Sequence, residues 1–334
     1  MTEDTATPDE TATPDETATP DEAATDLDAP AAEAPADAIA LDEAEATAAD
    51  EVEALEAPEA PEADESEALA PAEPGPVTVG RMIADALRRA GVRWAFTVPG
   101  ESFLGLLDGL AAAGINVVAT RHEGAAAFMA ESHAQLTGRP AACLGTRAVG
   151  AANLSIGIHT AFADSSPMFA LVGQVARAAR GREGFQEVDL AGTIGGLAKW
   201  AAEPRTADEA VAATGEAVNQ ALSGRPGPVL LALAEDLLDE VLPPQTAAAI
   251  ARPPADRPDD DAVGGVLRLL ASGQRPVILA GGGVLRARTS NDLLRLAELL
   301  RVPVIAGWRR GDVISNDHPL YLGMAGFGSP KVVR

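Results

Sequence analysis

The sequence predicts an α/β fold in which a parallel sheet is covered by helices on both faces. From position 77 onward, short apolar runs such as "AACLGT" and "GPVLLAL" alternate with stretches of helical periodicity. Strands that are apolar on both faces are typical of a parallel sheet packed between two layers of helices. Glycine follows several of the helical stretches, where a residue in the left-handed conformation ends a helix.

The first 76 residues differ in composition from the rest of the chain. They contain no Lys or Arg, hold 25 of the 50 acidic residues, and carry the repeat TATPDE at 5–10, 11–16 and 17–22. A segment with this charge and no aromatic residue cannot bury enough apolar surface to offset its conformational entropy. We therefore expect residues 1–76 to form a disordered acidic tail.

The remaining residues carry as many basic as acidic side chains, 25 of each. A neutral domain without a basic patch argues against nucleic acid as a partner. The amino terminus lacks the basic and apolar segments of a secretory signal, and no run of about 18 apolar residues predicts a membrane span. The single cysteine, Cys143, excludes an internal disulfide and fits a reducing compartment. We expect a cytoplasmic protein that binds neither nucleic acid nor membrane.

Helices and strands can be assigned in order along residues 77–245. The first helix begins at Thr78, whose side chain can cap it, and ends at Gly91. The next predicted elements are the strand 93–98, the helix 103–114, the strand 115–120, the helix 123–137 ended by Gly138, the strand 141–146, the helix 151–163, the strand 167–175, the helix 207–222 and the strand 227–233. This alternation predicts one α/β domain over residues 77–245.

Residues 246–262 are rich in Pro and Asp, a composition typical of a linker. A second alternating unit follows, with a helix near 262–272, the strand "PVILAG", a triple glycine at 281–283, a helix at 290–301 and the strand "VPVIAG". A Rossmann-like sheet needs more strands than these. The sequence therefore predicts an incomplete second domain over residues 263–334.

Polar and small residues follow four of the predicted strands. Because the carboxyl ends of parallel strands meet at one edge of the sheet, we expect these residues to face one cleft. They are Pro99-Gly100-Glu101-Ser102, Arg121-His122-Glu123, Thr146-Arg147-Ala148-Val149-Gly150 and Gly173-Gln174.

The order of these motifs resembles the acetolactate-synthase-like group of thiamine-diphosphate-dependent enzymes. The matching stretches are "VPGES", "RHEGAAAFMAESHAQLTGRP", "AANLSIGIHTAFADSSPMFALVGQV", "GFQEVDLAG", "AKW", "GRPGPVLLAL" and "RPVILAGGGV". The resemblance covers about residues 78–328. It implies a pyrimidine-binding domain over 77–245 and the start of the family's central domain over 263–334.

The resemblance also implies that Glu123 is the catalytic residue. A glutamate at the matching position in this family hydrogen-bonds a nitrogen of the cofactor's aminopyrimidine ring. This contact promotes removal of a proton from the thiazolium carbon, which then attacks a 2-keto acid. Such a carboxylate needs apolar surroundings that raise its pKa, and "VVAT" and "GAAAF" supply them on either side. The alternative is an acidic residue placed at a helix start by the helix dipole.

Further site residues follow from the same resemblance. Candidate contacts to thiamine diphosphate are Pro99, Gly100, Glu123, Thr146, Gly150 and Asn153. Candidate substrate contacts are His122, Arg147, Gln186 and Lys199. His122 either orients the cofactor or substrate or caps the strand end, and Lys199 either holds an anionic substrate or lies on the surface. Ala148-Val149-Gly150 stand where acetolactate synthases carry Gly-Pro-Gly, and Arg147 precedes them. Arg147 either binds a carboxylate or another acidic group, or pairs with a nearby acid.

The Gly-Asp-Gly that begins the family's pyrophosphate domain does not occur in the sequence. The resemblance therefore implies that Mg²⁺ and the diphosphate are bound by a domain absent from this chain, so no metal ligand is assigned within it. FAD is an alternative second cofactor. Gly281-Gly282-Gly283 matches part of a dinucleotide motif, but Arg286 stands where the third glycine belongs.

Three functions remain open at this point. The first is the amino-terminal part of an acetolactate-synthase-like enzyme of branched-chain amino acid biosynthesis, which decarboxylates and joins 2-keto acids such as pyruvate and is inactive alone. The second is one subunit of a split enzyme, and the third is a non-catalytic interaction protein that uses the acidic tail as a binding arm. The expected partners are a 2-keto acid and either a second copy of the chain or a chain with the pyrophosphate domain.

Overall fold

The structure is a computed structural model and describes residues 77–243, 246–250 and 257–333. The predicted acidic tail, residues 1–76, lies outside the described residues, as do residues 251–256 of the predicted linker. The described part of the chain contains two parallel sheets.

Parallel strands form a six-stranded sheet in the first part of the described chain. In chain order they are β1 (Trp94–Thr97), β2 (Asn116–Ala119), β3 (Ala141–Thr146), β4 (Met168–Gln174), β5 (Trp200–Ala202) and β6 (Pro228–Ala234). They lie in the order β2-β1-β3-β4-β6-β5, and every neighbouring pair is parallel. All residues of β4 and β6 are buried, as expected of strands covered on both faces.

Helices cover both faces of this sheet. They are α1 (Val79–Ala90), α2 (Leu104–Ala112), α3 (Glu123–Thr137), α4 (Arg147–Asp164), α5 (Leu190–Thr193), α6 (Ala207–Leu222) and α7 (Glu235–Leu238). Successive strand residues point to opposite faces. Leu144 therefore packs in the hydrophobic cluster with α1, α2 and α6, whereas Cys143 packs in the cluster with α3 and α4. The predicted fold class is confirmed.

Capping residues act where the sequence predicted them. The Thr78 side chain accepts a hydrogen bond from the Arg81 N–H at 3.3 Å, at the start of α1. Gly91 follows α1 with φ 105° and Gly138 follows α3 with φ 67°, both in the left-handed region that favours glycine.

Two features of the larger sheet differ from the prediction. Helix α4 begins at Arg147 and not at position 151, so Gly150 lies inside its first turn. Strand β5 was not predicted because it has three residues, all of them half-buried, and carries no alternating pattern.

A smaller parallel sheet follows in the order β7-β8-β9, formed by β7 (Ile278–Ala280), β8 (Val304–Ala306) and β9 (Tyr321–Met324). Its helices are α8 (Asp260–Ser272), α9 (Gly282–Ala287) and α10 (Ser290–Leu300). Ala297, Val304 and Val313 are fully buried in its core. Strand β9 was not predicted, since Gly323 interrupts it with φ 119°.

The two ends of the predicted linker are structured. Ala248 is buried against the first hydrophobic core, and its carbonyl oxygen accepts a hydrogen bond from Arg89 Nη2 at 3.2 Å. Helix α8 begins at Asp260, capped by the Asp259 side chain. Among the helices of the described residues, none combines the length and the apolar character needed to cross a bilayer.

Candidate active site

The carboxyl ends of β1, β2 and β3 bring three of the predicted motifs to one edge of the sheet. Residues 99–102 follow β1, Glu123 begins α3 just after β2, and α4 starts immediately at the end of β3. A Cβ on Gly100 would lie 1.8 Å from Thr146 Oγ1. The motifs after β1 and β3 are therefore in direct contact, as the rule for parallel sheets predicts.

Glu123 is held by a residue from the neighbouring helix. Asn153 Nδ2 donates a hydrogen bond to Glu123 Oε2 at 2.9 Å. The second carboxylate oxygen, Oε1, lies 3.5 Å from the position that a Cβ on Gly150 would occupy. Glu123 is half-buried. One oxygen is thus engaged and the other faces the first turn of α4.

Glycines make room for this arrangement. A Cβ on Gly150 would lie 2.7 Å from the carbonyl carbon of Gly145, so any larger residue would push α4 away from β3. A Cβ on Gly157 would lie 2.3 Å from the Ala127 Cβ, which shows how closely α3 and α4 pack. Close packing of the two helices sets the reach of Asn153 toward Glu123.

Two buried hydroxyl groups in this region have no hydrogen-bond partner within the described part of the chain. They are Thr146 Oγ1, next to Gly100, and Ser102 Oγ, next to Gly173. A buried hydroxyl without a partner is costly and points to a polar group that is bound there. The positioned carboxylate of Glu123 and the unpartnered hydroxyls are polar groups of the kind that fit the aminopyrimidine ring of thiamine diphosphate.

His122 caps α3. Its Nδ1 accepts a hydrogen bond from the Gly124 N–H at 3.0 Å, and its side chain is otherwise exposed. The structure therefore places His122 beside Glu123 and shows the capping contact that was one of its two predicted roles.

Arg147 pairs with acids, which was one of its two predicted roles. Its Nη1 lies 3.2 Å from Glu101 Oε1 and its Nη2 lies 3.1 Å from Glu235 Oε2. The guanidinium also lies over the Phe185 ring, 5.9 Å from the centroid. The backbone of Arg147 has φ 47°, a left-handed conformation that is rare outside glycine.

Gln186 lies in a loop that contacts the start of α4. Its carbonyl oxygen accepts a hydrogen bond from the Ala148 N–H at 3.3 Å. The loop is shaped by Glu187, whose carboxylate accepts from the N–H groups of Gly181 and Gly184. These backbone hydrogen bonds, that of Gly181 first, hold the pKa of Glu187 below its ordinary value. Gln186 therefore belongs to the same edge of the sheet as Arg147.

Lys199 is not brought to this group of residues. Its backbone N–H pairs with the Pro228 carbonyl at the amino end of β6, which is the opposite edge of the sheet. Its Nζ donates to the carbonyl oxygens of Gln220 and Ser223, at the end of α6. Burial lowers the pKa of Lys199. In this structure Lys199 satisfies the last carbonyls of a helix.

Residue types alone did not single out Ser102, Glu101 and Glu235. Ser102 and Glu101 were inside the motif after β1. Nothing in the sequence showed that the Ser102 hydroxyl would lack a partner or that Glu101 would pair with Arg147. Glu235 follows β6 directly, and its position at a strand end was the available signal.

No three His, Cys, Asp or Glu side chains of the described residues form a cluster that could hold a metal ion.

Two protein-family models match the chain. Residues 77–193 match the family model described as "Thiamine pyrophosphate enzyme, N-terminal TPP binding domain". Residues 263–334 match "Thiamine pyrophosphate enzyme, central domain".

Curated relatives carry related names. The chain is 37% identical over 258 residues to the probable acetolactate synthase large subunit of Methanocaldococcus jannaschii, covering 75% of this chain and 44% of the relative. It is 33% identical over 259 residues to the acetolactate synthase of Arthrospira platensis, covering 75% and 45%. It is 31% identical over 258 residues to the acetolactate synthase isozyme 2 large subunit of Escherichia coli, covering 75% and 46%. The chain spans less than half the length of these curated relatives.

Proposed function

This chain belongs to the thiamine pyrophosphate enzyme family and is acetolactate-synthase-like, and from that premise we propose that it forms the pyrimidine-binding part of an enzyme that decarboxylates and joins 2-keto acids such as pyruvate. The observation that carries the proposal is the Glu123 carboxylate, fixed by Asn153 at the carboxyl edge of a parallel sheet, beside the bare backbone of Gly150.

Thiamine diphosphate, when bound, supplies the nucleophilic carbon that attacks the carbonyl of a 2-keto acid and accepts the electrons left as carbon dioxide departs. The protein positions and tunes it. Glu123 would share a proton with a nitrogen of the aminopyrimidine ring, and the Asn153 amide, which donates to Oε2, would leave Oε1 for that contact. Gly100 lets the motif after β1 approach Thr146, and Gly150 lets α4 approach Gly145, so the backbone around Glu123 is closely packed.

The contacts to the charged end of the cofactor are proposed to lie outside this sequence. The diphosphate and its Mg²⁺ are held by residues outside this sequence, in a further domain of the same protein or in a second chain. The greater length of the curated relatives supports this assignment.

The domains proposed for the present sequence are the pyrimidine-binding domain at 77–245 and the start of the central domain at 263–334, joined by a linker at 246–262. A buried free thiol at Cys143 is compatible with the cytoplasm as its location.

FAD is a second candidate ligand. A cavity of about 580 Å³ opens beside Gly282, and its charged lining residues are Arg139, Arg286, Arg288, Arg310, Asp164 and Asp312. Arg310 Nε and Arg286 Nη1 lie 2.7 and 3.3 Å from the position of a Cβ on Gly282. The excess of guanidinium groups fits the diphosphate of a dinucleotide. Flavin that co-elutes with the chain on gel filtration supports this ligand, and flavin that separates completely rejects it.

The test of the proposed function uses pyruvate consumption with thiamine diphosphate and Mg²⁺. The chain alone is expected to show no turnover. The chain supplied with the pyrophosphate-domain portion of a relative is expected to consume pyruvate. In that system Glu123→Gln lowers the rate on the order of a hundredfold or more, because an amide cannot share the proton.

The matched control is Glu216→Gln, which changes an exposed carboxylate on α6 in the same way. Near-normal turnover by the Glu123→Gln variant contradicts the role of Glu123, and turnover by the chain alone contradicts the placing of the diphosphate contacts outside it. Co-purification with a separate chain that carries the diphosphate contacts identifies the split enzyme. A specific partner retained by the acidic tail, together with no effect of cofactor, identifies the interaction protein.

A further inference from the structure

Three charged side chains meet at the carboxyl edge of the larger sheet although they come from distant parts of the chain. Glu101 follows β1, Arg147 follows β3 and Glu235 follows β6. Arg147 lies between the two carboxylates at 3.2 and 3.1 Å. The Arg147 side chain is 11% exposed, whereas Glu101 is 62% and Glu235 is 38% exposed. These three residues are called the Glu–Arg–Glu cluster below.

The cluster is adjacent to the groups that hold Glu123. Arg147 is the first residue of α4, and the same helix carries Gly150 and Asn153. Glu101 directly follows Gly100, which touches Thr146. A substrate that reacts beside Glu123 therefore has the cluster as part of its surroundings.

Arg147 is fixed in place. Its left-handed backbone, at φ 47°, is unfavourable for a residue with a side chain, so tertiary contacts must stabilise it. Those contacts are the two carboxylates and the Phe185 ring. The guanidinium uses one Nη on each carboxylate, and its buried Nε has no partner among the described residues.

The charge balance of the cluster is negative, because two carboxylates face one guanidinium. A carboxylate of a substrate that approached this edge would meet a neutralised arginine and one excess negative charge. Like charges in a partly desolvated site repel strongly, and such repulsion is a common source of specificity.

We propose that the Glu–Arg–Glu cluster is a specificity element that rejects 2-keto acids with a second carboxylate and selects those with an uncharged side group. The part of this proposal that concerns catalysis rests on the proposed function. The cluster itself makes a prediction about anion binding that needs neither cofactor nor turnover. Removing the two negative charges frees Arg147 to bind a dicarboxylate.

The experiment measures binding of 2-ketoglutarate and of pyruvate to the full chain by calorimetry at low ionic strength. The double variant Glu101→Gln/Glu235→Gln is expected to bind 2-ketoglutarate at least about tenfold more tightly than the wild type, with a smaller gain for pyruvate. Added salt weakens this gain, because dissolved ions screen the attraction between the dicarboxylate and Arg147. Adding Arg147→Met to the double variant abolishes the gain.

The control variant is Glu209→Gln/Glu216→Gln, which removes two exposed charges from α6 and changes the net charge of the chain equally. It is expected to bind like the wild type. Since Glu101 is mostly exposed, Glu101→Gln alone keeps the fold and shows a smaller gain if the double variant does not fold. The proposal is overturned if the double variant binds 2-ketoglutarate no more tightly than the wild type. If the double variant does not fold, the same outcome for Glu101→Gln overturns it. A gain in affinity that persists after Arg147→Met also overturns the proposal.

Failure of the proposed function gives a different pattern. A reconstituted protein without turnover contradicts the proposed function while the binding gain remains. Where turnover is restored, the ratio of kcat/KM for 2-ketoglutarate to that for pyruvate rises on the order of tenfold in the double variant. Turnover with an unchanged ratio overturns the specificity element alone.

Discussion

At the scale of single residues, the candidate site depends on glycines as much as on charged groups. Gly100 and Gly150 lie where a Cβ would collide with Thr146 Oγ1 or with the Gly145 backbone. The Glu123–Asn153 hydrogen bond is made between α3 and α4. This hydrogen bond can form because the glycines have no side chains, which lets α4 start directly against β3.

Gly150→Ala is expected to destabilise the protein by about 1–3 kcal/mol, because the added methyl group would lie 2.7 Å from a backbone atom that cannot move freely. Urea unfolding measures the change. Gly196→Ala is the control, since a Cβ there would meet no atom within 4 Å, and its stability should stay within about 0.5 kcal/mol of the wild type. Equal stabilities of the two variants would contradict the close contact between α4 and β3.

At the scale of elements, α3 carries a buried carboxylate, Glu131, in addition to the half-buried Glu123. Glu131 is 5% exposed and accepts hydrogen bonds from Ser166 Oγ at 3.0 Å and from Ser132 Oγ at 3.4 Å. Burial raises the pKa of Glu131, the neighbouring Asp164 adds to the shift, and the hydrogen bond from Ser166 opposes it. Asp164 is itself paired with Arg309 at 2.6 Å. Glu131 therefore ionises at a cost to the folded state.

Glu131→Gln is expected to change how stability depends on pH. A carboxyl group with a raised pKa binds its proton more tightly in the folded chain, so wild-type stability falls as the pH rises above the ordinary value of 4.5 toward the folded pKa. The amide cannot ionise. The free energy of unfolding of the variant, relative to that of the wild type, should therefore increase as the pH rises through this window.

Urea titrations at a series of pH values from about 4.5 upward measure this difference. Glu216→Gln, an exposed carboxylate on α6, is the control and should show no such trend. A difference between Glu131→Gln and the wild type that does not vary with pH would show that Glu131 ionises equally easily in both states.

At the scale of the whole molecule, α3 and α4 expose an apolar face. Their exposed large apolar residues are Phe128, Met129, Leu136, Val149, Ile156 and Phe162. Leu136 is 82% and Ile156 is 60% exposed. An apolar surface of this kind on two adjacent helices is typical of an interface. We expect a second copy of the chain or a pyrophosphate domain to cover it, which are the two partners expected from the sequence.

Self-association should therefore depend on this face. Sedimentation velocity is expected to show association of the wild type that rises with concentration. Met129→Lys/Ile156→Lys should raise the dissociation constant by about tenfold or more, since two charges would have to be buried. Leu269→Lys/Leu299→Lys, at exposed positions on α8 and α10, should leave it unchanged. A wild type that stays monomeric at high concentration would contradict the interface.

Much of the fold was predictable from the sequence because its determinants are local. The bounds of α3, β3 and α6 agree with the predicted segments, since capping hydrogen bonds and apolar runs act within a few residues. Glu123 and Asn153 were identified by resemblance to a family, which depends on the order of motifs along the chain. Their hydrogen bond is consistent with that assignment.

Tertiary structure alone decided which partners the charged residues have. Arg147 had two predicted roles, and its pairing with Glu101 and Glu235 depends on three strand ends that only the sheet brings together. Lys199 follows the motif that suggested a substrate contact, yet the parallel register with β6 carries it to the opposite edge. Ion pairs form across distances in sequence that no local pattern encodes. Apolar periodicity therefore determined the sheet and its helices, and packing determined the charges around the site.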